Sequence, residues 1–154
     1  LLDTFYDECA AAIWHYDGIL NKTLGDAVLA IFNFPVKQVD HTVQAVLAAR
    51  EIQSRFQEKH DQLLYDLGID NAELGIGVGI DCGETNFGEF GHSHRDLTAV
   101  GTVVNRAARA QAAAKAGEIL VTGAVRERIG AMASASGHDY ALKGFAQPVT
   151  LFAA

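Results

Sequence analysis

The chain has 154 residues, 49% of them hydrophobic and 20% charged, which fits one globular domain and excludes both a two-domain protein and a disordered segment. Its formal net charge of −7 disfavours binding of nucleic acid or of an anionic membrane, because both attract clustered cations. Cys9 and Cys82 are too few for a disulfide scaffold. No apolar run is long enough to span a bilayer, and no signal peptide is recognisable. We therefore expect a cytoplasmic domain without membrane contact of its own, and a membrane-anchored parent protein stays open as an alternative.

The first half of the chain predicts two helices on either side of a β-hairpin. Apolar residues at three- and four-residue steps predict an amphipathic helix at the start, and the lack of a capping residue before Leu1 indicates a fragment. Gly25 and Asp26 supply turn chemistry between two apolar segments, so we expect them at the tip of the hairpin. The predicted elements are a helix over 1–17, strands over 19–23 and 27–32, and a helix over 43–64.

The second half predicts strands mixed with two further helices. Alternation over 74–80 predicts a strand packed closely against another backbone, and we expect 85–90 to form a hairpin with it. The remaining predicted elements are a strand over 97–100, a helix over 102–115, a strand over 118–121, a helix over 123–129 and a hairpin of 140–142 with 149–152. This mixture predicts an α+β fold with helices on one face of a mainly antiparallel sheet.

Two places in the sequence have polar side chains suited to chemistry. Asp26 is either an ordinary turn aspartate or a ligand of Mg²⁺, which prefers one or two carboxylates together with phosphate oxygens. Asn105 and Arg109 stand four residues apart and so share one helix face. That face is either a solvated polar stripe or a paired carboxamide and guanidinium that bind a ligand. The residues by themselves leave both alternatives open.

Three other features do not predict a site. The alternating glycines of 75–79 lack a dinucleotide-binding fingerprint, because Ile80 stands where a further glycine would be needed and no helix follows. His92 and His94 lie in a polar loop without a third ligand nearby, which is typical of exposed loop histidines. Cys82 has no motif partner and is interpreted as a packed thiol.

Taken in order, several segments resemble the class III nucleotidyl cyclase catalytic domain of the bacterial type. They are 22–32 (KTLGDAVLAIF), 75–84 (GIGVGIDCGE) with Gly88 and Gly91, 98–109 (TAVGTVVNRAAR), 116–122 (AGEILVT), and 142–144 (LKG) with Pro148 and Val149. The resemblance covers essentially the whole chain, and the ordered set is much more specific than any one segment. It implies a ferredoxin-like α+β palm and favours the functional interpretation of Asp26, Asn105 and Arg109.

The resemblance also implies a role for each matched residue. Asp26 would bind two divalent metal ions, Mg²⁺ or Mn²⁺. Asn105 and Arg109 would hold the ribose and stabilise charge on the α-phosphate, and Lys143 would bind the outer phosphates. The implied reaction is attack of the 3′-hydroxyl of a nucleoside triphosphate on its own α-phosphorus, with pyrophosphate leaving in line.

By the same resemblance, Lys22 and Thr98 would contact the purine. Lysine can donate a hydrogen bond to N1 of adenine, and a threonine hydroxyl can accept one from its amino group. Guanine carries a hydrogen on N1, so a lysine facing it would be mismatched. The pair therefore favours ATP and adenylate cyclase activity in signal transduction, with guanylate cyclase as the alternative.

In the family, active sites form between two chains, so we expect a homodimer with composite sites. Asp26 would serve a site whose other residues come from the partner chain. The family's first strand carries another metal-binding aspartate, and nothing in 1–17 matches it. We therefore expect 1–154 to be a single cyclase domain that is incomplete at its N-terminus, lacks that strand, and is inactive alone. A non-catalytic cyclase-like module that binds nucleotide or dimerises is the remaining alternative.

Overall fold

The computed structural model describes residues 2–68, 75–90 and 96–154. In chain order the elements are α1 (Leu2–His15), β1 (Ile19–Leu24), β2 (Ala27–Ile31), α2 (His41–Leu67), β3 (Val78–Ile80), β4 (Asn86–Phe90), β5 (Asp96–Val100), α3 (Thr102–Ala113), β6 (Ile119–Thr122), α4 (Gly123–Ile129), β7 (His138–Tyr140) and β8 (Val149–Ala153). Every predicted helix is present, and α4 has the predicted bounds. The predicted α+β class is confirmed.

The first hairpin forms as expected. Strands β1 and β2 pair antiparallel and close with Leu24 opposite Ala27. Gly25 has a φ of 65°, a left-handed conformation that glycine adopts without steric cost, and this places Asp26 at the tip. Helix α1 packs against the hairpin and α2 through a cluster built on Cys9 and Ile13, which are 1% and 2% exposed.

The strand pairing after residue 78 differs from the prediction. Strand β3 pairs in parallel with β6, and β4 pairs antiparallel with β5, so the expected hairpin of β3 and β4 is wrong. Strands β6, β8 and β7 continue the sheet in antiparallel fashion. This confirms a terminal hairpin, although its first strand is His138–Tyr140 and not 140–142 as predicted. Strand β6 lies between β3 and β8, and all four of its residues are buried. Its apolar run Ile119, Leu120 and Val121 favours such a central position in a sheet.

Helices cover both faces of this four-stranded sheet, not one face as predicted. Successive residues of a strand point to opposite faces. Val121 packs with Val46 of α2 and Val125 of α4, whereas Leu120 packs with Ala110 of α3. Because Leu120 and Val121 are both apolar and point to opposite faces, both faces must be shielded from water. A half-exposed sheet would instead alternate apolar and polar residues along the strand. Within the described residues, no helix combines the length and apolar character that crossing a membrane requires.

Candidate active site

A cleft of about 1010 Å³ opens between two strands that belong to different sheets. Strand β2 forms one wall, and 75–80, which includes β3, forms the other. In the described part of the chain, β2 pairs with β1 alone and β3 with β6 alone, so each strand turns an open edge toward this cleft. Lys22, Asp26 and Asn105 also line it. The structure thus brings three of the six predicted site residues to one cavity.

The tip that carries Asp26 is anchored to the first helix. The hydroxyl of Tyr6 on α1 donates a hydrogen bond to the backbone carbonyl of Gly25. Asp26 itself is exposed and makes no side-chain hydrogen bond or ion pair to a described residue. The carboxylate is therefore free to bind a ligand while the turn beneath it is held. Tyr6 was not predicted to belong to the site, because one tyrosine in an amphipathic helix does not indicate a contact with a distant turn.

Helix α3 lies directly on β3 because that strand carries glycine. A Cβ atom on Gly79 would lie 2.3 Å from both the carbonyl oxygen of Ala107 and the backbone nitrogen of Gln111, far closer than atoms can approach. This confirms the close backbone packing predicted from the alternating glycines. The close approach fixes the seat of α3 and hence the position from which Asn105 reaches the cleft.

Arg109, one turn beyond Asn105, is exposed, as is Lys143. Of the residues that the structure describes, neither of these two lines the cleft. Neither side chain makes a hydrogen bond or ion pair within the described ranges, so both cations are available to a ligand. Lys143 follows the buried Leu142 and precedes Gly144, whose φ is 88°. The cations thus lie on the molecular surface, apart from the cavity that holds Asp26.

The neighbouring Arg106 has a different environment. Its Nε donates to Oδ2 of Asp81 at 2.7 Å, and the side chain of Asp81 is 0% exposed. Oδ1 of Asp81 accepts from the Thr122 hydroxyl at 2.6 Å and from the backbone N–H of Cys82 at 2.9 Å. The partner of Arg106 lies 25 residues away along the chain, so residue spacing carries no signal of this pair.

Of the two residues predicted to contact the purine, Lys22 is fully described by the structure and Thr98 by its backbone. Lys22 is exposed on β1, where it pairs with Leu29 of β2. Thr98 lies on β5, where its backbone pairs with Gly88 of β4. The side chain of Thr98, like His92 and His94, lies outside the described residues.

The cleft also contains acidic side chains and the thiol of Cys82. Across the described ranges, no group of three or more His, Cys, Asp or Glu residues is arranged to hold a metal ion. Burial raises the pKa of the Cys82 thiol above its ordinary value, so this cysteine stays protonated and is not a nucleophile at neutral pH. Of the carboxylates that line the cleft in the described ranges, Asp26 is exposed and Asp81 is buried.

Comparison with known proteins relates the chain to enzymes of one family. The family described as adenylate and guanylate cyclase catalytic domain matches residues 1–152. The uncharacterized protein Rv1320c of Mycobacterium tuberculosis is 33% identical over 111 residues, which cover 71% of this chain. The same match covers 18% of that relative, so the chain spans less than a fifth of the length of the curated relatives it resembles.

Two solved structures are similar along nearly the whole chain. The adenylyl cyclase CyaB from P. aeruginosa superposes with a TM-score of 0.88 at 29% identity, over 99% of this chain and 79% of that one. The guanylyl cyclase Cya2 superposes with a TM-score of 0.86 at 27% identity, over 99% of this chain and 77% of that one. The predicted fold is thereby confirmed, whereas the two similarities do not separate ATP from GTP as the substrate.

Proposed function

The chain belongs to the family of adenylate and guanylate cyclase catalytic domains, and on that premise we propose that it converts ATP into 3′,5′-cyclic AMP and pyrophosphate. One observation carries the proposal. Asn105 and Arg109 on α3 and Asp26 at the hairpin tip all present polar side chains that bind no described residue. A purely structural module would gain nothing from leaving two charged groups and a carboxamide unpaired at matching family positions.

The residues divide the reaction between holding the substrate and stabilising its transition state. Asn105 binds the ribose and orients the 3′-hydroxyl toward the α-phosphorus. Arg109 places its fixed positive charge where negative charge grows on the α-phosphate, which lowers the barrier more than it strengthens ground-state binding. Lys143 binds the outer phosphates, which depart as pyrophosphate.

Asp26 is suited to a metal ion that takes most of its ligands from elsewhere. A single exposed carboxylate, without a closed cluster of ligands among the described residues, matches the preference of Mg²⁺ or Mn²⁺ for one or two carboxylates together with water and phosphate oxygens. Divalent ions bound there would activate the 3′-hydroxyl and neutralise the triphosphate. We expect chelation of divalent metal to abolish product formation, and undiminished turnover in chelator would contradict this role of Asp26.

The separation of Asp26 from Arg109 and Lys143 supports composite sites in a homodimer. In the described part of one chain, Asp26 shares the cleft with Lys22 and Asn105, which the expected composite site takes from the partner, whereas Arg109 and Lys143 do not line it. A two-fold partner would bring its own Arg109 and Lys143 to this carboxylate and receive the same in return. The site is therefore incomplete without a second copy.

Complementation tests the composite site in the full-length protein. Asp26→Asn and Arg109→Ala are each expected to be inactive as homodimers. When the two variants are mixed and allowed to exchange subunits, each heterodimer holds one site with both native residues, and activity returns. If both residues act within one chain, mixing restores nothing.

Two open strand edges support a further part of the proposal. Residues 1–154 would form one cyclase domain in which an additional strand pairs between the open edges of β2 and β3, joins the two sheets and fills the part of the cleft between these edges. Without it, we expect little or no cyclase activity. Measuring cyclic AMP formation by residues 1–154 and by the full-length protein under identical conditions tests this, and equal specific activities would contradict it.

A further inference from the structure

We propose that Arg106 is a positioning residue, whose ion pair with Asp81 sets α3 and the Lys143 loop in register for the nucleotide. This inference rests on the proposed function. The Nε–H of Arg106 donates to Asp81 at 2.7 Å, and the carboxylate is wholly buried while the guanidinium side chain is 29% exposed. A buried carboxylate deprived of its cation is strongly disfavoured, so the pair holds α3 against the end of β3.

Asp81 gathers three elements into this contact. It follows β3 directly, it accepts a hydrogen bond from Thr122 at the end of β6 at 2.6 Å, and it accepts from the Cys82 N–H at 2.9 Å. The carboxylate is therefore oriented by groups of the sheet before Arg106 reaches it. A fixed acceptor of this kind specifies the rotation of α3 about its own axis, which close packing on Gly79 by itself does not.

The other contact of Arg106 is with the loop that carries Lys143. The guanidinium carbon lies 5.9 Å from the ring centroid of Phe145, within the range of a cation–π contact. The Phe145 N–H donates to the carbonyl of Leu142 at 3.1 Å, so Lys143 and Gly144 occupy the middle of a closed turn. Arg106 thus connects the helix that presents Asn105 and Arg109 to the turn that presents Lys143.

A matched arginine elsewhere in the chain provides the control. Arg126 of α4 also lies over an aromatic ring, 4.8 Å from the centroid of Phe152, and it donates to the backbone carbonyls of Ser134 and Ala135. Replacing Arg126 removes the same chemical groups from a packed position without touching α3 or the Lys143 loop. Both variants lose a packed guanidinium and a cation–π contact, whereas only Arg106→Met leaves a buried carboxylate without its cation.

The test measures kcat and KM for ATP per folded molecule of the full-length protein in Arg106→Met, Asp81→Asn, the double variant and Arg126→Met. We expect Arg106→Met to lower kcat by about 10- to 100-fold and to raise KM less, because transition-state alignment depends most on geometry. The double variant should match the more impaired single variant. Arg106→Lys keeps a cation beside Asp81 and should retain an intermediate kcat, which keeps the test available if the methionine variant folds poorly.

Hydrogen exchange gives a second readout that is independent of cyclase activity. Arg106→Met should accelerate amide exchange in both 102–113 and 142–145, whereas Arg126→Met should not. An unchanged kcat per folded molecule, an equal loss in Arg126→Met, or additive effects of Asp81→Asn and Arg106→Met would overturn the positioning role. If the native protein makes no cyclic nucleotide while the two segments still respond together, the proposed function fails and the structural connection stands.

Discussion

Arg106 and Arg109 occupy the same helix, three residues apart, and their environments are opposite. Arg106 is half-buried and pairs with a carboxylate that is 0% exposed, whereas Arg109 is exposed and pairs with no described residue. The two are chemically identical, so the difference comes from where the rotation of α3 points each side chain. One guanidinium is committed to the fold and the other is left for a ligand.

The largest effect is expected at Arg109. Arg109→Ala in the full-length protein should lower kcat by about 10³-fold, since it removes a positive charge that acts where charge develops in the transition state. KM should change far less. Steady-state kinetics with ATP decide the point, and a rise in KM as large as the fall in kcat would make Arg109 a ground-state binding residue.

The seat of α3 is expected to be nearly as sensitive. Gly79→Ala would force a methyl group into the backbone of α3 at 2.3 Å and should destabilise the protein by about 3 kcal/mol or more. Gly123→Ala is the control, because a Cβ there meets nothing within 4 Å, and it should stabilise the start of α4 by about 0.5 kcal/mol. Urea unfolding of both variants measures the contrast, and equal midpoints would refute the close approach of α3 to β3.

Stability should separate the two arginines of α3. Arg106→Met leaves Asp81 buried without its cation and should cost about 2 kcal/mol, reduced from the value for a fully buried pair because Arg106 is 29% exposed. Arg109→Met removes no contact with a described residue and should change stability by about 0.5 kcal/mol or less. Comparable losses in chemical denaturation would erase the distinction between the two.

The smallest expected effect is a change of substrate preference. Lys22→Glu combined with Thr98→Cys should shift the ratio of kcat/KM from ATP toward GTP by about tenfold, since a carboxylate can accept from the N1–H of guanine. Lys115→Glu makes the same charge change at an exposed position beyond α3 and should leave the ratio unaltered. An unchanged ratio in the double variant would remove Lys22 and Thr98 from the purine contact.

Local structure was predictable from the sequence where the signal was local. The turn at Gly25 and Asp26 and the helix Gly123–Ile129 follow from neighbouring residues. The pairing of β3 with β6 was missed because alternation identifies a strand but not its partner. The sequence of β6 did contain a signal that helices pack on both faces of the sheet, because its consecutive apolar residues point to opposite faces.

The candidate site shows the same limit. The order of the motifs predicted Asp26 and Asn105 as site residues, and in the structure both line the same cleft. Arg106 meets Asp81 because of two long-range arrangements. Strand β3 pairs in parallel with β6, and helix α3 packs closely on Gly79 of β3. Neither arrangement can be recognised from the sequence separation of Asp81 and Arg106.

The bond between Tyr6 and Gly25 has a mechanical consequence. The turn that presents the acidic group cannot swing outward unless the phenol first releases the glycine carbonyl. The phenol of Tyr6 therefore couples the position of α1 to that of the turn that presents Asp26.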